Sequence, residues 1–221
     1  MIKAILFDYD DTLVQTRKTR YNTIYKLSEE LFKTKITEKE IDVAWGLPAD
    51  EFLLNLFGRF SLDIHYLWSI YIEFSKKDLN LPHLNAFDFI EKYKNFVKFG
   101  IVTSSSEKVV IRELNELQVD TNLFLQIQTS DHTAVHKPNP NVFEPIFGLL
   151  KNKNISKNEV IYIGDSPADY ESASRFGFHF LGIAHDDRHL PYFQTGEIPF
   201  VRNFLELENY LINQHSFVSQ E

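Results

Sequence analysis

The chain has 221 residues, a formal charge of −8 and no cysteine. That length holds one generous domain, or one domain with a smaller insertion, and either can bury a core. The missing cysteine excludes disulfides, thiolate nucleophiles, zinc-thiolate sites and iron-sulfur clusters, and is compatible with a reducing, cytoplasmic setting.

The acidic balance repels polyanions, so a nucleic acid polymer is not expected as a partner. No apolar run reaches the roughly eighteen residues of a membrane span, so no membrane is expected either. The opening MIKAILFDYD is too short an apolar patch for a signal sequence and is broken by Asp8. Twenty phenylalanines point to an aromatic-rich core.

In chain order, strands are predicted over 3–7, 98–103, 125–129, 160–164 and 178–183, with helical stretches between them. Runs such as AILF and VIYIG are continuously apolar, which marks strands buried on both faces in a parallel sheet covered by helices. Such sheets bind ligands beyond the carboxyl ends of their strands. Asp8, Thr103 and Asp165 fall at those ends.

The strand rhythm is absent from 15 to 85, where amphipathic patterns predict helices over about 17–34, 37–44, 49–58 and 62–78. Thr37 and Glu40 have the spacing of a capping box, and Gly46-Leu47-Pro48 breaks the pattern. LNLPHLNA at 79–86 reads as the return linker, with Pro82 stopping helix continuation.

Four clusters carry chemistry. Asp8 and Asp10 leave the first strand two residues apart, on one face. Two neighbouring carboxylates there need a cation or a raised pKa, and a hard, oxygen-liganded ion such as magnesium is the natural candidate. An EF-hand loop fails on spacing, since its turn glycine would fall on Leu13 and its last glutamate on Thr19; a solvated turn remains open.

In the second cluster, TSSSE at 103–107, Ser104 and Glu107 have capping-box spacing, and the same helix start could seat an anion. Third, Lys137 lies in KPNP at 137–140, with Asn139 as N-cap and Pro140 opening a helix over 141–151. It is either solvated or the fixed cation of an anion site, with His132 and His136 as possible helpers. Fourth, GDSPAD at 164–169 places Asp165 at a strand end as an oriented ligand candidate. Asp169 follows at a position where first-turn capping also explains an acid.

Together, DYDDT at 8–12, the hydroxyl of Thr103, Lys137 in KPNP and GDSPAD resemble the four signature motifs of the haloacid dehalogenase-like hydrolase superfamily. The resemblance implies a doubly wound, Rossmann-like α/β core formed by 1–14 and 86–221, with an inserted helical cap at 15–85. It also implies roles. Asp8 would be the nucleophile that becomes an aspartyl phosphate, and Asp10 the general acid and base. Thr103, Ser104 and Lys137 would bind the phosphoryl group. Magnesium would be held by Asp8, Asp10 through its carbonyl, Asp165 and Asp169.

The implied substrate is a small phosphorylated metabolite (a sugar phosphate, a phosphoglycolate-like acid or a nucleotide), acted on by a monomer or homodimer. A sugar phosphomutase and a non-catalytic phosphate-binding relative are the alternatives. Asp11 stands where many relatives have glycine, and Ser104 where asparagine often follows the hydroxyl. Gln15, Thr16, Arg17, Arg20, Trp45 and Arg59 are the candidate specificity contacts of the insert.

Overall fold

The structure is a computed structural model and describes residues 1–45, 47, 49–76, 78 and 80–215. Its sheet is built from β1 (Ala4–Phe7), β2 (Lys98–Val102), β3 (Phe124–Gln128), β4 (Val160–Gly164), β5 (His179–Ile183) and β6 (Phe200–Val201). Every pairing is parallel, and the order is β3-β2-β1-β4-β5-β6. The order in which successive strands are added therefore reverses between β1 and β4, and an open α/β sheet leaves a crevice at the carboxyl ends of such a pair.

Helices cover both faces of this sheet. Ile5, Phe7, Ile101, Ile161 and Ile163 pack with α5 (Ala86–Tyr93), α6 (Glu107–Glu116) and α10 (Phe204–His215). Ala4, Leu6, Val102, Val160 and Tyr162 face the other way, toward α7 (Glu144–Lys151), α8 (Pro167–Phe176) and α9 (Leu190–Thr195). The period-two alternation of a strand explains the partition. It also explains why AILF reads as unbroken apolar sequence, since all four residues are buried.

Phe7 anchors the end of β1 in an aromatic cluster. Its ring centroid lies 6.4 Å from that of Phe89, 6.1 Å from Phe99 and 6.0 Å from Phe204. Offset and edge contacts of this kind add to the burial free energy of each ring and fix its orientation. The residue that follows, Asp8, therefore leaves a rigid strand.

Contacts divide the chain into two compact units, Met1–Gln15 with Leu81–Glu221, and Thr16–Asn80. The return segment from Leu81 belongs with the sheet, because His83 N donates to Leu13 O, Gln15 N donates to Leu81 O, and Val14 bridges Pro82. The second unit is helical: α1 (Thr16–Glu30), α2 (Glu38–Ala44), α3 (Ala49–Phe57) and α4 (Ile64–Ser75). Ile24, Leu27, Ile41, Leu53, Phe57 and Leu67 form its core. The expected capping box of α2 is present, with Thr37 Oγ1 accepting from Glu40 N and Glu40 accepting from Thr37 N.

Several boundaries differ from the sequence reading. Helix α1 ends at Glu30 rather than near residue 34, and Leu31 just beyond it is 41% exposed. The helix expected over 141–151 is a 3-10 turn at Pro140–Phe143 followed by α7; Pro145 just inside α7 has no N–H to continue the first pattern. Gly46 and Pro48 of the expected break, Lys77 within the expected 62–78 helix, and Leu79 of the linker lie outside the described residues.

Candidate active site

The site is built at the carboxyl ends of β1, β2 and β4. Asp8 N still donates to Ile163 O, so Asp8 is held in register with β4 after β1 has ended. By alternation its side chain shares the face of Leu6, the face toward Tyr162 and α8. Helix α8 starts there with Ser166 as N-cap, whose side chain accepts from Asp169 N while Asp169 accepts from Ser166 N and Oγ. That capping box locks Asp169 facing the end of β4.

Among the described residues, Asp8, Asp165 and Asp169 each offer a carboxylate oxygen, and these atoms all lie within 4.8 Å of one another. Lys137 closes the group. Its Nζ lies 2.5 Å from Asp8 Oδ1, 2.6 Å from Asp169 Oδ1 and 3.0 Å from the Tyr162 hydroxyl. An ammonium has three donors, so these contacts use them all. Its side chain is only 8% exposed.

Electrostatics follow from that packing. Burial pushes the Asp8 carboxyl well above the usual range; Lys137 opposes the shift, and Asp169, Asp165 and Asp10 reinforce it. Asp165 is also raised, chiefly by burial. For Lys137, burial works to lower the pKa, but Asp169 and Asp8 outweigh it and hold the amine protonated well above its ordinary value. Three acids thus share one lysine, with His189 beside Asp165 as the other cationic neighbour, and the raised acids show that positive charge is short here. A carboxylate-rich, all-oxygen donor set of this kind suits a hard divalent cation. Asp169 already receives protein donors on both oxygens, which leaves Asp8 and Asp165 as the better direct ligands.

The carboxylate of Asp10 is not in this group. It turns to the loop after β2, where Oδ2 accepts from Ser105 Oγ at 2.6 Å and from Thr103 Oγ1 at 3.4 Å. Thr103 is buried, and its Oγ1 accepts from Ser105 N. Beyond Asp10, Asp11 adopts φ 57°, the left-handed region where glycine is at ease and aspartate is tolerated better than most residues. This accounts for an acid where relatives often have glycine.

The other sequence candidates divide. Ser104 is exposed, and the expected Ser104–Glu107 capping box is not formed. Ser106 is the N-cap of α6, and Glu107 N donates to Asp131 Oδ2, a partner 24 residues away. His132 is exposed and its Nδ1 closes a local turn on Thr129; His136 is exposed as well. In the helical unit, Arg17 donates to Tyr21 and Asp42 and lies over the Trp45 ring, with Arg20 also over it. Arg59 pairs with Glu40, Thr16 is buried, and Gln15 Nε2 donates to Pro82 O.

Sequence reasoning missed Tyr162, Ser105 and His189. Tyr162 is fully buried; its hydroxyl donates to Val102 O or Asp169 Oδ1 and accepts from Lys137. The signal was a lone hydroxyl in an apolar strand, since a buried tyrosine usually finds a partner. His189 Nδ1 lies 2.8 Å from Asp165 O and 3.6 Å from Asp165 Oδ2. Nothing in its local sequence announces it.

Known proteins resemble the chain along most of its length. A provisionally named pyrophosphatase PpaX of Clostridium perfringens is 28% identical over 212 residues, covering 89% of this chain and 90% of that protein. Among solved structures, a provisionally named beta-phosphoglucomutase of Thermotoga maritima superposes with a TM-score of 0.79 at 21% identity, covering 96% and 100% of the two chains. YfnB of Bacillus subtilis, a provisionally named HAD-hydrolase whose crystal structure is bound to magnesium, gives 0.75 at 21% identity, covering 96% and 99%. At those identities the structural likeness speaks for the fold. A sequence model of the haloacid dehalogenase-like hydrolases matches residues 5–183, four-fifths of the chain and all four of its motifs, and the protein belongs to that family.

Proposed function

We propose that the protein is a magnesium-dependent phosphatase of small phosphomonoesters that works through a phosphorylated Asp8. One observation carries the reading: Asp8, Asp165 and Asp169 converge within 4.8 Å while the Lys137 ammonium contacts two of them. The family membership and the pyrophosphatase name of the Clostridium relative point the same way.

In this reading Asp8 attacks phosphorus, and its carboxylate needs no movement of the sheet to do so because β1 and β4 fix its backbone. Lys137, with Thr103, neutralises and orients the phosphoryl oxygens; charge in a loose phosphoryl-transfer transition state spreads over those oxygens, so a fixed cation acts where charge is concentrated. Asp10 protonates the leaving oxygen and then takes a proton from the attacking water. Asp8, the Asp10 carbonyl and Asp165 would hold the metal, with Asp169 in support. Magnesium, when bound, offsets the surplus negative charge and polarises the phosphoryl oxygens.

Within this reading the helical unit selects the substrate as a cap, with Arg17, Arg20 and Trp45 as its cationic and aromatic candidates. The substrate class is a phosphorylated metabolite with a soluble leaving group. The test is turnover of a panel of phosphomonoesters and pyrophosphate by purified protein with and without magnesium. Release of phosphate that requires magnesium supports the reading; metal binding with no turnover of any compound contradicts it and leaves a phosphate-binding relative.

A further inference from the structure

The run Thr103-Ser104-Ser105-Ser106 offers four hydroxyls in sequence, and the structure gives them different work. Ser104 is exposed, and Ser106 is the N-cap of α6. Ser105 is fixed through its backbone on both sides: its N–H donates to Thr103 Oγ1 at 3.0 Å, and its carbonyl accepts from Ser130 N at 3.0 Å. The first N–H of α6 goes to Asp131, so Ser105 is not drawn into capping. Its Oγ lies 2.6 Å from Asp10 Oδ2, against 3.4 Å for Thr103. A hydroxyl at the shorter distance makes a strong charge-assisted bond, whereas the longer one is marginal.

The geometry points to Ser105 as the positioning residue of the general acid and base, a role that rests on the phosphatase reading above. In the first half-reaction the Asp8–phosphorus bond forms, the ester P–O bond breaks, and the proton on Asp10 moves to the leaving oxygen. In the second, water adds to phosphorus, the Asp8–phosphorus bond breaks, and a water proton returns to Asp10. Asp10 must therefore be held in the same place both as acid and as carboxylate. A serine hydroxyl does this, because it donates to Asp10 Oδ2 in either state and leaves the other carboxyl oxygen to carry the transferred proton.

The test compares Ser105→Ala and Ser105→Thr with the wild type on two substrates. Para-nitrophenyl phosphate releases a stabilised phenolate that needs little protonation, whereas glycerol phosphate releases an alkoxide that needs a proton in the transition state. Because general acid catalysis contributes about 10²–10⁴-fold, Ser105→Ala is expected to lose about 10-fold more kcat/KM on glycerol phosphate than on para-nitrophenyl phosphate. Ser105→Thr should recover most of the difference.

Equal losses on the two substrates, a change in KM alone, or no rescue by threonine would overturn the positioning role while the phosphatase reading stands. A wild-type protein inert toward both esters would overturn both.

Discussion

Lys137 Nζ lies 2.5 Å from Asp8 Oδ1 and 2.6 Å from Asp169 Oδ1, so one ammonium ties the end of β1 to the first turn of α8. These contacts span 129 and 32 residues of sequence. Removing one partner of a buried charge cluster strands the rest. Lys137→Met should therefore destabilise the metal-free protein by about 3–5 kcal/mol. It should also lower kcat/KM by about 10²–10³-fold, the scale of a lost transition-state donor. Urea titration and kinetics on para-nitrophenyl phosphate check the two effects separately.

Asp8→Asn should act on stability in the opposite direction. Burial raises the Asp8 pKa, so the folded protein holds a proton there more tightly than the unfolded chain does. The resulting stabilisation is present at low pH and is lost as pH rises through the folded value; above that value the ionised carboxylate opposes folding. Asparagine removes that charge. In the absence of metal the variant is expected to melt a few degrees above the wild type, at about 2–4 °C per kcal/mol for a chain of this size. Magnesium should raise the wild-type melting temperature more than that of the variant.

A stacked histidine pair predicts acid sensitivity. The rings of His83 and His185 lie 3.5 Å apart and nearly parallel. Burial and the neighbouring His185 push His83 down to about 3. Burial also lowers His185, whose Nε2 meets Thr12 O. A histidine depressed in the folded state contributes stability that is complete above its unfolded pKa and is lost as pH falls toward the folded value. Between pH 6.5 and 5 the loss from His83 is about 2 kcal/mol. His83→Phe should flatten the dependence of melting temperature on pH across that window; an unchanged slope would show that the pair does not titrate there.

Gly164 is set by close approach rather than by its backbone angles. A Cβ at this position would come 2.5 Å from Asp169 Cγ and 2.6 Å from Asp169 Cβ. Gly164→Ala must push Asp169 away from Lys137 and Tyr162. The expected cost is about 1–3 kcal/mol of stability, as for other overpacked sites, together with a loss of kcat/KM. Thermal melts and steady-state kinetics on the same preparation test whether the two losses travel together.

Much of this was readable from residues alone, for a physical reason in each case. Strands buried on both faces show as continuous apolar runs, so β1 and β4 were plain. The two-residue β6 is too short to leave a pattern. GDSPAD announced both a capping box and an oriented acid, and the structure forms the capping box.

The serine run misled because a capping box is read from local spacing. Here Glu107 N found its acceptor on Asp131, across a loop, and Ser106 rather than Ser104 is the N-cap of α6. Tyr162 was read as core, and its apolar body is core. Only the fold brings Lys137 to its hydroxyl. The 129-residue separation of Lys137 and Asp8 hid their contact from any local rule; family resemblance placed both in one site but did not give the direct contact.

The central claim is that Asp8 carries the phosphoryl group. The most direct measurement is acid quench of Asp10→Asn, mixed with para-nitrophenyl phosphate and magnesium, followed by mass spectrometry of the peptide containing residues 4–15. With the base that activates water disabled, the account predicts one added phosphoryl group on Asp8. Turnover retained by Asp8→Asn, or an Asp8 that stays unmodified while product is released in the first cycle, would contradict it.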